Sequence, residues 1–167
     1  SSRDLDGSNP DHSNEVWVLD GAPEPLLSGV RSARADEPAV DGSGDLVAFT
    51  STGDLDEDGG NEDGSSDVFV LDRSTSEVDQ LTDLAVGEED PDGVVISADG
   101  TTVAFTSTAA PGDESTAGTR LVHVVNESTT TLVVAPSNAP GAAHEEMPRG
   151  VHDVSGDGRW LLLEGTG

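Results

Sequence analysis

The chain has 167 residues, a length typical of one domain, and it carries 34 acidic against seven basic residues for a formal net charge of −27. This charge repels a phosphate backbone or an anionic lipid surface, so nucleic acid and membrane surfaces are excluded as default partners. Cysteine is absent, which excludes a disulfide framework and cysteine-ligated zinc. No apolar run approaches the roughly 18 residues of a membrane-spanning helix, so no membrane insertion is expected.

The acid excess has two interpretations. An acidic composition with few aromatic side chains often indicates disorder. Against disorder, short apolar runs recur at regular spacing with turn residues between them. Surplus carboxylates keep halophilic proteins soluble, and the complete absence of lysine fits the same setting. We therefore interpret the chain as a folded protein of halophilic origin.

A four-stranded unit recurs along the chain, and we call its strands a, b, c and d. Strand a follows a proline, strand b follows a glycine-containing turn, strand c is an apolar run, and strand d comes after the next turn. A turn between short apolar runs indicates a β-hairpin. In chain order the sequence predicts strands c and d in residues 1–34, strands a to d in residues 35–84, strands a to d in residues 85–137, and strands a and b in residues 138–167.

The repeats are visible as matching segments in register. The turn before strand b places Gly44 opposite Gly100 and Gly158, which are offset by 56 and 58 residues. A Val-Ala-Phe run follows in the first two copies, and Trp-Leu-Leu-Leu follows in the third. Strand c reads Val-Trp-Val-Leu-Asp up to Asp20 and Val-Phe-Val-Leu-Asp up to Asp72. The large aromatic side chains of strands b and c are predicted to pack between blades, and they are Trp17, Phe49, Phe69, Phe105 and Trp160.

Four antiparallel strands per repeat are typical of a β-propeller blade. The segment Pro-x-x-Asp-x-x-Gly-x-x-Val-Ala-Phe from Pro38, and Ser-Ala-Asp-Gly-Thr-Thr-Val-Ala-Phe from Ser97, resemble the repeat signature of TolB-like propellers, which are WD-like repeats. Residues 67–82 are similar to the second half of that repeat. Two departures are that Asp41 stands where the signature has Ser, and that Pro91 lies further from its turn than Pro38 does.

The resemblance implies an all-β propeller fold. It also implies a non-catalytic role in protein interactions, with an extracellular or cell-envelope location favoured over the cytoplasm. Similar propellers are attached to peptidases or act as polysaccharide lyases, so a fragment of a larger propeller enzyme is the alternative. No nucleophile–base pattern can be read from the sequence, and it therefore predicts no catalytic residue.

The strands of the repeat that stand at the start and at the end of the chain predict how it assembles. Strands c and d at its start and strands a and b at its end would together make one blade, giving three blade-equivalents where propellers use about 4–8 blades. We expect a head-to-tail homodimer in which each copy completes the divided blade of the other, forming a six-bladed ring. The alternatives are a closed three-bladed monomer, a larger assembly, and excision from a longer propeller.

The connection between strands b and c of the first complete unit is rich in carboxylates. Its alternating aspartates before Gly59 resemble the first half of a calcium loop, in which carboxylates surround one hard cation. Ser65 stands where such a loop has its bidentate Glu, so a later aspartate would have to complete the site. Ca²⁺ is the only cofactor suggested, and the alternative is a solvated acidic loop. The candidate ligands are Asp54, Asp56, Asp58, Asp63 and Asp67.

We expect the fold to depend on salt. Lowering the ionic strength from molar to millimolar removes the screening between carboxylates, so their repulsion should unfold the chain. Circular dichroism over a salt series measures the loss of β-sheet signal. A spectrum that is unchanged in millimolar salt would contradict the halophilic interpretation.

Overall fold

The structure is a computed structural model that describes residues 14–20, 22–27, 34–55, 60–85, 90–107, 121–126, 129–134 and 148–165. Every regular element in these ranges is a β-strand, which confirms the predicted all-β class. Within these ranges no helix is long and apolar enough to cross a membrane. In chain order the strands are β1 (Trp17–Asp20), β2 (Ala22–Pro25), β3 (Ala35–Val40), β4 (Leu46–Ser51), β5 (Asp67–Asp72), β6 (Glu77–Gln80), β7 (Asp92–Ile96), β8 (Thr102–Ser107), β9 (Leu121–Asn126), β10 (Thr129–Val134), β11 (Pro148–Val154) and β12 (Leu161–Gly165).

The strands form four antiparallel sheets, each made of strands that follow one another in the chain. β3–β4–β5–β6 and β7–β8–β9–β10 are four-stranded, and they are the predicted blades with strands a to d in order. In the described part of the chain, β1–β2 and β11–β12 are two-stranded sheets, corresponding to strands c–d and a–b. The described strands therefore amount to three blade-equivalents: two complete blades, one sheet with strands c and d, and one sheet with strands a and b.

The first strands of consecutive sheets lie side by side. β7 contacts β3 on one side and β11 on the other. Since propeller blades are arranged around a central channel, these contacts place the three a strands at the axis. Residues at the same position of the repeat, aligned through the paired strand residues, are called counterparts.

Strand a of the first complete blade begins earlier than the sequence predicts. β3 starts at Ala35, whereas the prediction placed its start after Pro38. A bulge between Asp36 and Ala39 interrupts the pairing of β3 with β4. Pro38 has no N–H to donate, and the bulge places it where the ladder requires none. The proline therefore marks the bulge of this strand and not its beginning.

The second blade has the same bulge, and there glycine is required. Pairing of β7 with β8 is interrupted between Asp92 and Val95. Gly93 lies in this bulge with a φ of 67°, and a Cβ on it would lie 2.6 Å from the carbonyl oxygen of Val151 in the next sheet. Only glycine combines this conformation with such a close approach.

The turn from strand a to strand b is held by the same hydrogen bond in all three copies. A side-chain oxygen directly after strand a accepts the backbone N–H of the first residue of strand b or, in the third copy, of the residue directly before it. Asp41 performs this task with a carboxylate and its counterparts with a hydroxyl, which explains why Asp is tolerated in place of Ser. The bonds run from Leu46 N to Asp41 Oδ1 (3.1 Å), from Thr102 N to Ser97 Oγ (3.0 Å) and from Trp160 N to Ser155 Oγ (3.0 Å).

The hydrophobic core lies between consecutive sheets, in three layers. Strand residues alternate between layers, so that the neighbours Ala48 and Phe49 are both fully buried but belong to different clusters. The layer between β1–β2 and the first complete blade contains Val16, Val47, Phe49, Phe69 and Leu71. The layer between the complete blades contains Ala48, Val68, Val94, Ile96, Val103, Phe105 and Val125. The layer before β11–β12 contains Ala104, Val122, Val124 and Val151, with Leu161 and Leu163 packed against it.

The predicted aromatic core is confirmed for the phenylalanines and wrong for Trp160. Phe49 stacks on Phe69 at 5.9 Å between ring centroids, and Phe105 stacks on His123 at 4.9 Å. Trp160 is 73% exposed. It lies directly before β12, whose outer face no sheet of the described residues covers, and this leaves the side chain exposed.

A buried carboxylate connects the start of β5 to the segment after β6. Asp67 is fully buried, and its Oδ1 accepts hydrogen bonds from Thr82 Oγ1 at 2.6 Å and Leu84 N at 2.8 Å. Its Oδ2 accepts one from Ser65 Oγ at 2.9 Å. Burial raises the pKa of Asp67, and Asp83 raises it further, although the hydrogen bonds act in the opposite direction.

We predict that Asp67→Ala lowers the free energy of unfolding by about 3 kcal/mol, because buried donors lose their acceptor. Asp67→Asn keeps an acceptor oxygen and should lose less. Because the folded-state pKa is raised, the wild type should gain stability relative to Asp67→Asn as the pH falls through that pKa, with the full gain below about pH 4. Urea unfolding at constant salt over a pH series measures both effects.

The exposed variant Asp54→Ala serves as the control for this measurement, with an expected change within about 0.5 kcal/mol. A difference between wild type and Asp67→Asn that does not vary with pH would contradict the raised pKa.

Candidate functional site

The structure places three of the five candidate calcium ligands. Asp63 and Asp67 come together around the Ser65 hydroxyl, which lies 2.7 Å from Asp63 Oδ1 and 2.9 Å from Asp67 Oδ2. Asp54 is exposed and accepts the N–H of Gly60 at 3.2 Å. The remaining two, Asp56 and Asp58, lie outside the described residues.

The hydrogen bonds of Asp63 and Asp67 give both carboxylates a role in folding the b–c connection. Within the ranges that the structure describes, no group of three or more His, Asp or Glu side chains is arranged to hold a metal ion. Calcium binding by this loop stays a prediction from the sequence.

A polar cleft of about 300 Å³ opens at the axial end of strands β3 and β7. Asp36 and Asp92 are counterparts on these strands, paired with Thr50 and Thr106 respectively. Arg34 forms an ion pair with Asp36, and Asn14 Nδ2 donates to the same carboxylate at 3.1 Å. The other acidic side chains that line the cleft are Glu37 and Asp90.

Among the described residues that line this cleft, the carboxylates outnumber the one arginine, so the potential there favours cationic groups over anions. An acidic residue directly before Pro38 and before Pro91 is a sequence signal for this cleft. From the sequence, the prolines were used only to locate strand a, and no site was predicted here.

The divided blade leaves two open strand edges. β4 pairs with β3 and β5, and β8 pairs with β7 and β9. In the described ranges, their counterpart β12 pairs with β11 alone, and β1 pairs with β2 alone. An open edge of this kind presents unpaired N–H and C=O groups to which another strand can add.

Exposed hydrophobic side chains lie on or directly beside these open strands and at the end of β3. Leu162 is 62% exposed, whereas its counterparts Ala48 and Ala104 are fully buried. Leu19 on β1 is 75% exposed, whereas its counterparts Leu71 and Val125 are buried. Trp160 and Val40 are also exposed, at 73% and 56%. The sequence analysis singled out Trp160 alone among these side chains, and assigned it to the core.

No protein-family model and no curated protein sequence matches the chain. Solved structures are similar. TolB from Acinetobacter baumannii is 16% identical with a TM-score of 0.53, over 89% of this chain and 31% of that one. A protein described as TolB from Agrobacterium tumefaciens is 15% identical with a TM-score of 0.58, over 95% of this chain and 48% of that one. A structure from a study of two prolyl endopeptidases is 18% identical with a TM-score of 0.51, over 87% of this chain and 21% of that one.

The chain thus spans less than half the length of each of these proteins. At such identities the similarity shows the fold alone. The sheet order, the repeated turn and these structural neighbours agree, and the fold of this chain is that of TolB-like β-propeller blades.

Proposed function

We propose that the chain is a propeller scaffold that assembles with a second copy of itself, each copy completing the divided blade of the other. The observation that carries the proposal is the open edge of β12 and β1 beside exposed hydrophobic side chains whose counterparts are buried. Burying these side chains is favourable by about 25 cal/mol per Å² of apolar surface, which supplies a driving force for association.

The complete blades supply the register of the proposed pairing. In both of them strand b pairs with strand c at equivalent positions, and transferring this register pairs β12 of one copy with β1 of the other. Leu163 would then face Trp17, as Phe49 faces Phe69. The observed pairs are Ala48 with Val70 and Ala104 with Val124, and the proposed counterpart pair is Leu162 with Val18.

Two copies joined in this way at both ends would form a ring of six blades, within the range of about 4–8 that propellers use. Such a head-to-tail contact closes when its rotation permits. The charge of −27 on each chain opposes association, so assembly should require salt that screens it. Ca²⁺ bound to the acidic b–c loop would reduce the same repulsion.

An alternative is that the chain is the propeller part of a larger enzyme, in which further blades of one polypeptide cover the open edges. The similarity to a fifth of a prolyl endopeptidase structure favours this candidate. For the scaffold, the TolB resemblance supports a place of action outside the cell or in its envelope.

We predict that light scattering in molar salt gives twice the mass of a single chain, and that the mass falls towards one chain as salt is removed. Running the series with and without a calcium chelator shows whether Ca²⁺ contributes. A single-chain mass at every concentration and salt level would refute the assembly and favour the larger enzyme.

The absence of cysteine makes a register test possible. The double variant Leu162→Cys/Val18→Cys should form a disulfide between copies under mild oxidation, because paired Cα atoms of adjacent strands lie within reach of one. The matched control Leu162→Cys/Trp17→Cys shifts one partner by a single residue and turns its side chain to the opposite face. Equal cross-linking of both variants would contradict the proposed register.

A further inference from the structure

We propose that Trp160 of one copy is the anchor of this contact, and that it seats against Gly44 in an apolar groove of the other copy. The proposal rests on the assembly proposed above, and it adds the docking surface and the residue that fills it. The layer that follows the first complete blade and the layer that follows the second each show how one blade packs on the next.

The groove lies between β1 and the hairpin of β3 and β4. It has a volume of about 410 Å³ and lies on the side of the first complete blade that faces the divided one. Val40 on its wall is 56% exposed, whereas its counterparts Ile96 and Val154 are buried at 8%. Its lining includes Val16, Val18, Pro38, Val40, Gly44 and Val47.

The layer between the complete blades is the template for filling this groove. There, Leu46 and Ala48 pack against a wall that includes Val94, Ile96 and Val103 of the next blade. The counterparts of Leu46 and Ala48 are Trp160 and Leu162, which are exposed. The counterparts of the wall residues are Pro38, Val40 and Val47, which line the groove. Pro38 and Val40 of this wall are exposed while Val47 is buried, so the exposed side chains of one end match a partly uncovered wall at the other.

The turn glycines identify the position in the groove that Trp160 would contact, and we call this position its seat. A Cβ on Gly100 would lie 2.7 Å from Leu46 Cδ1, and a Cβ on Gly158 would lie 2.8 Å from Thr102 Cβ. In each case the turn glycine of one blade touches the first residue of strand b in the blade before it. Among the residues that the structure describes, no atom lies within 4 Å of a Cβ built on Gly44. The residue that belongs against Gly44 by this rule is the counterpart of Leu46 and Thr102, which is Trp160.

Arg73 holds the seat in position. Its Nη1 donates to the carbonyl oxygen of Gly44 at 2.7 Å, and its side chain also lines the groove. Gly44 has a φ of 82° and donates its N–H to Asp41 Oδ1 at 2.8 Å. The space beside Gly44 therefore belongs to a turn that hydrogen bonds hold on both sides, and we expect the Trp160 ring of the other copy to pack against it.

The first test replaces the anchor. Trp160→Thr introduces the residue of its counterpart Thr102, which suits a strand, while Trp160→Phe keeps an aromatic ring. Because Trp160 is 73% exposed in the single chain, both variants should retain the circular dichroism of the wild type. Removing a central Trp anchor should raise the dissociation constant of the assembly roughly 30-fold or more, whereas Trp160→Phe should change it several-fold less.

The second test fills the seat. Gly44→Asn adds a side chain that tolerates a positive φ, so the single chain should fold while the seat is blocked. Gly64→Asn is the matched control, because Gly64 has a φ of 74° and equally open space but lies in the b–c connection, away from the groove. Light scattering over a concentration series should show a strong loss of assembly for Gly44→Asn and wild-type assembly for Gly64→Asn.

The outcomes separate this inference from the proposal on which it rests. A wild type that stays a single chain refutes the assembly itself. A wild type that assembles, with Trp160→Thr or Gly44→Asn assembling equally well, leaves the assembly standing and overturns the Trp160 seat. Cross-linking of Leu162→Cys/Val18→Cys that persists undiminished after the addition of Gly44→Asn overturns the seat in the same way.

Discussion

The structure depends on one constraint, which is that each sheet is apolar on both faces and needs a neighbour on each side. Consecutive strand residues such as Ala48 and Phe49 are both fully buried, yet they point into different layers. An antiparallel sheet often turns one face to water, but these blades do not. A sheet at the end of the described stack therefore has one face that no other described sheet covers, and hydrophobic side chains are exposed there.

The repeats tolerate substitution wherever a different residue can make the same contact. A carboxylate at Asp41 and a hydroxyl at Ser97 both accept the first N–H of strand b. His123 takes the place of Phe69, because its ring stacks on Phe105 as Phe69 stacks on Phe49. The blades are thus conserved in geometry more strictly than in sequence, which agrees with structural similarity at identities of 15–18%.

Charge and apolar surface occupy different parts of the molecule. Carboxylates line the axial cleft, and hydrophobic side chains gather at the ends of the divided blade. A net charge of −27 repels other copies of the chain in dilute salt, while the exposed Trp160 and Leu162 would gain from burial once salt screens the charge. An assembly of this chain would therefore depend on salt.

Local pattern was enough to predict the all-β class, the four-stranded blade and its division between strands b and c, because alternating apolar runs and turn glycines are short-range signals. The prediction from sequence failed at positions whose surroundings are formed by residues distant in the chain. Pro38 sits inside a bulge, and Trp160 lacks the cover that its counterparts have. The buried hydrogen bonds of Asp67 to Thr82 and Leu84 depend on groups distant in the chain. Only the tertiary structure decides such matters, since burial is a property of the neighbours that folding brings together.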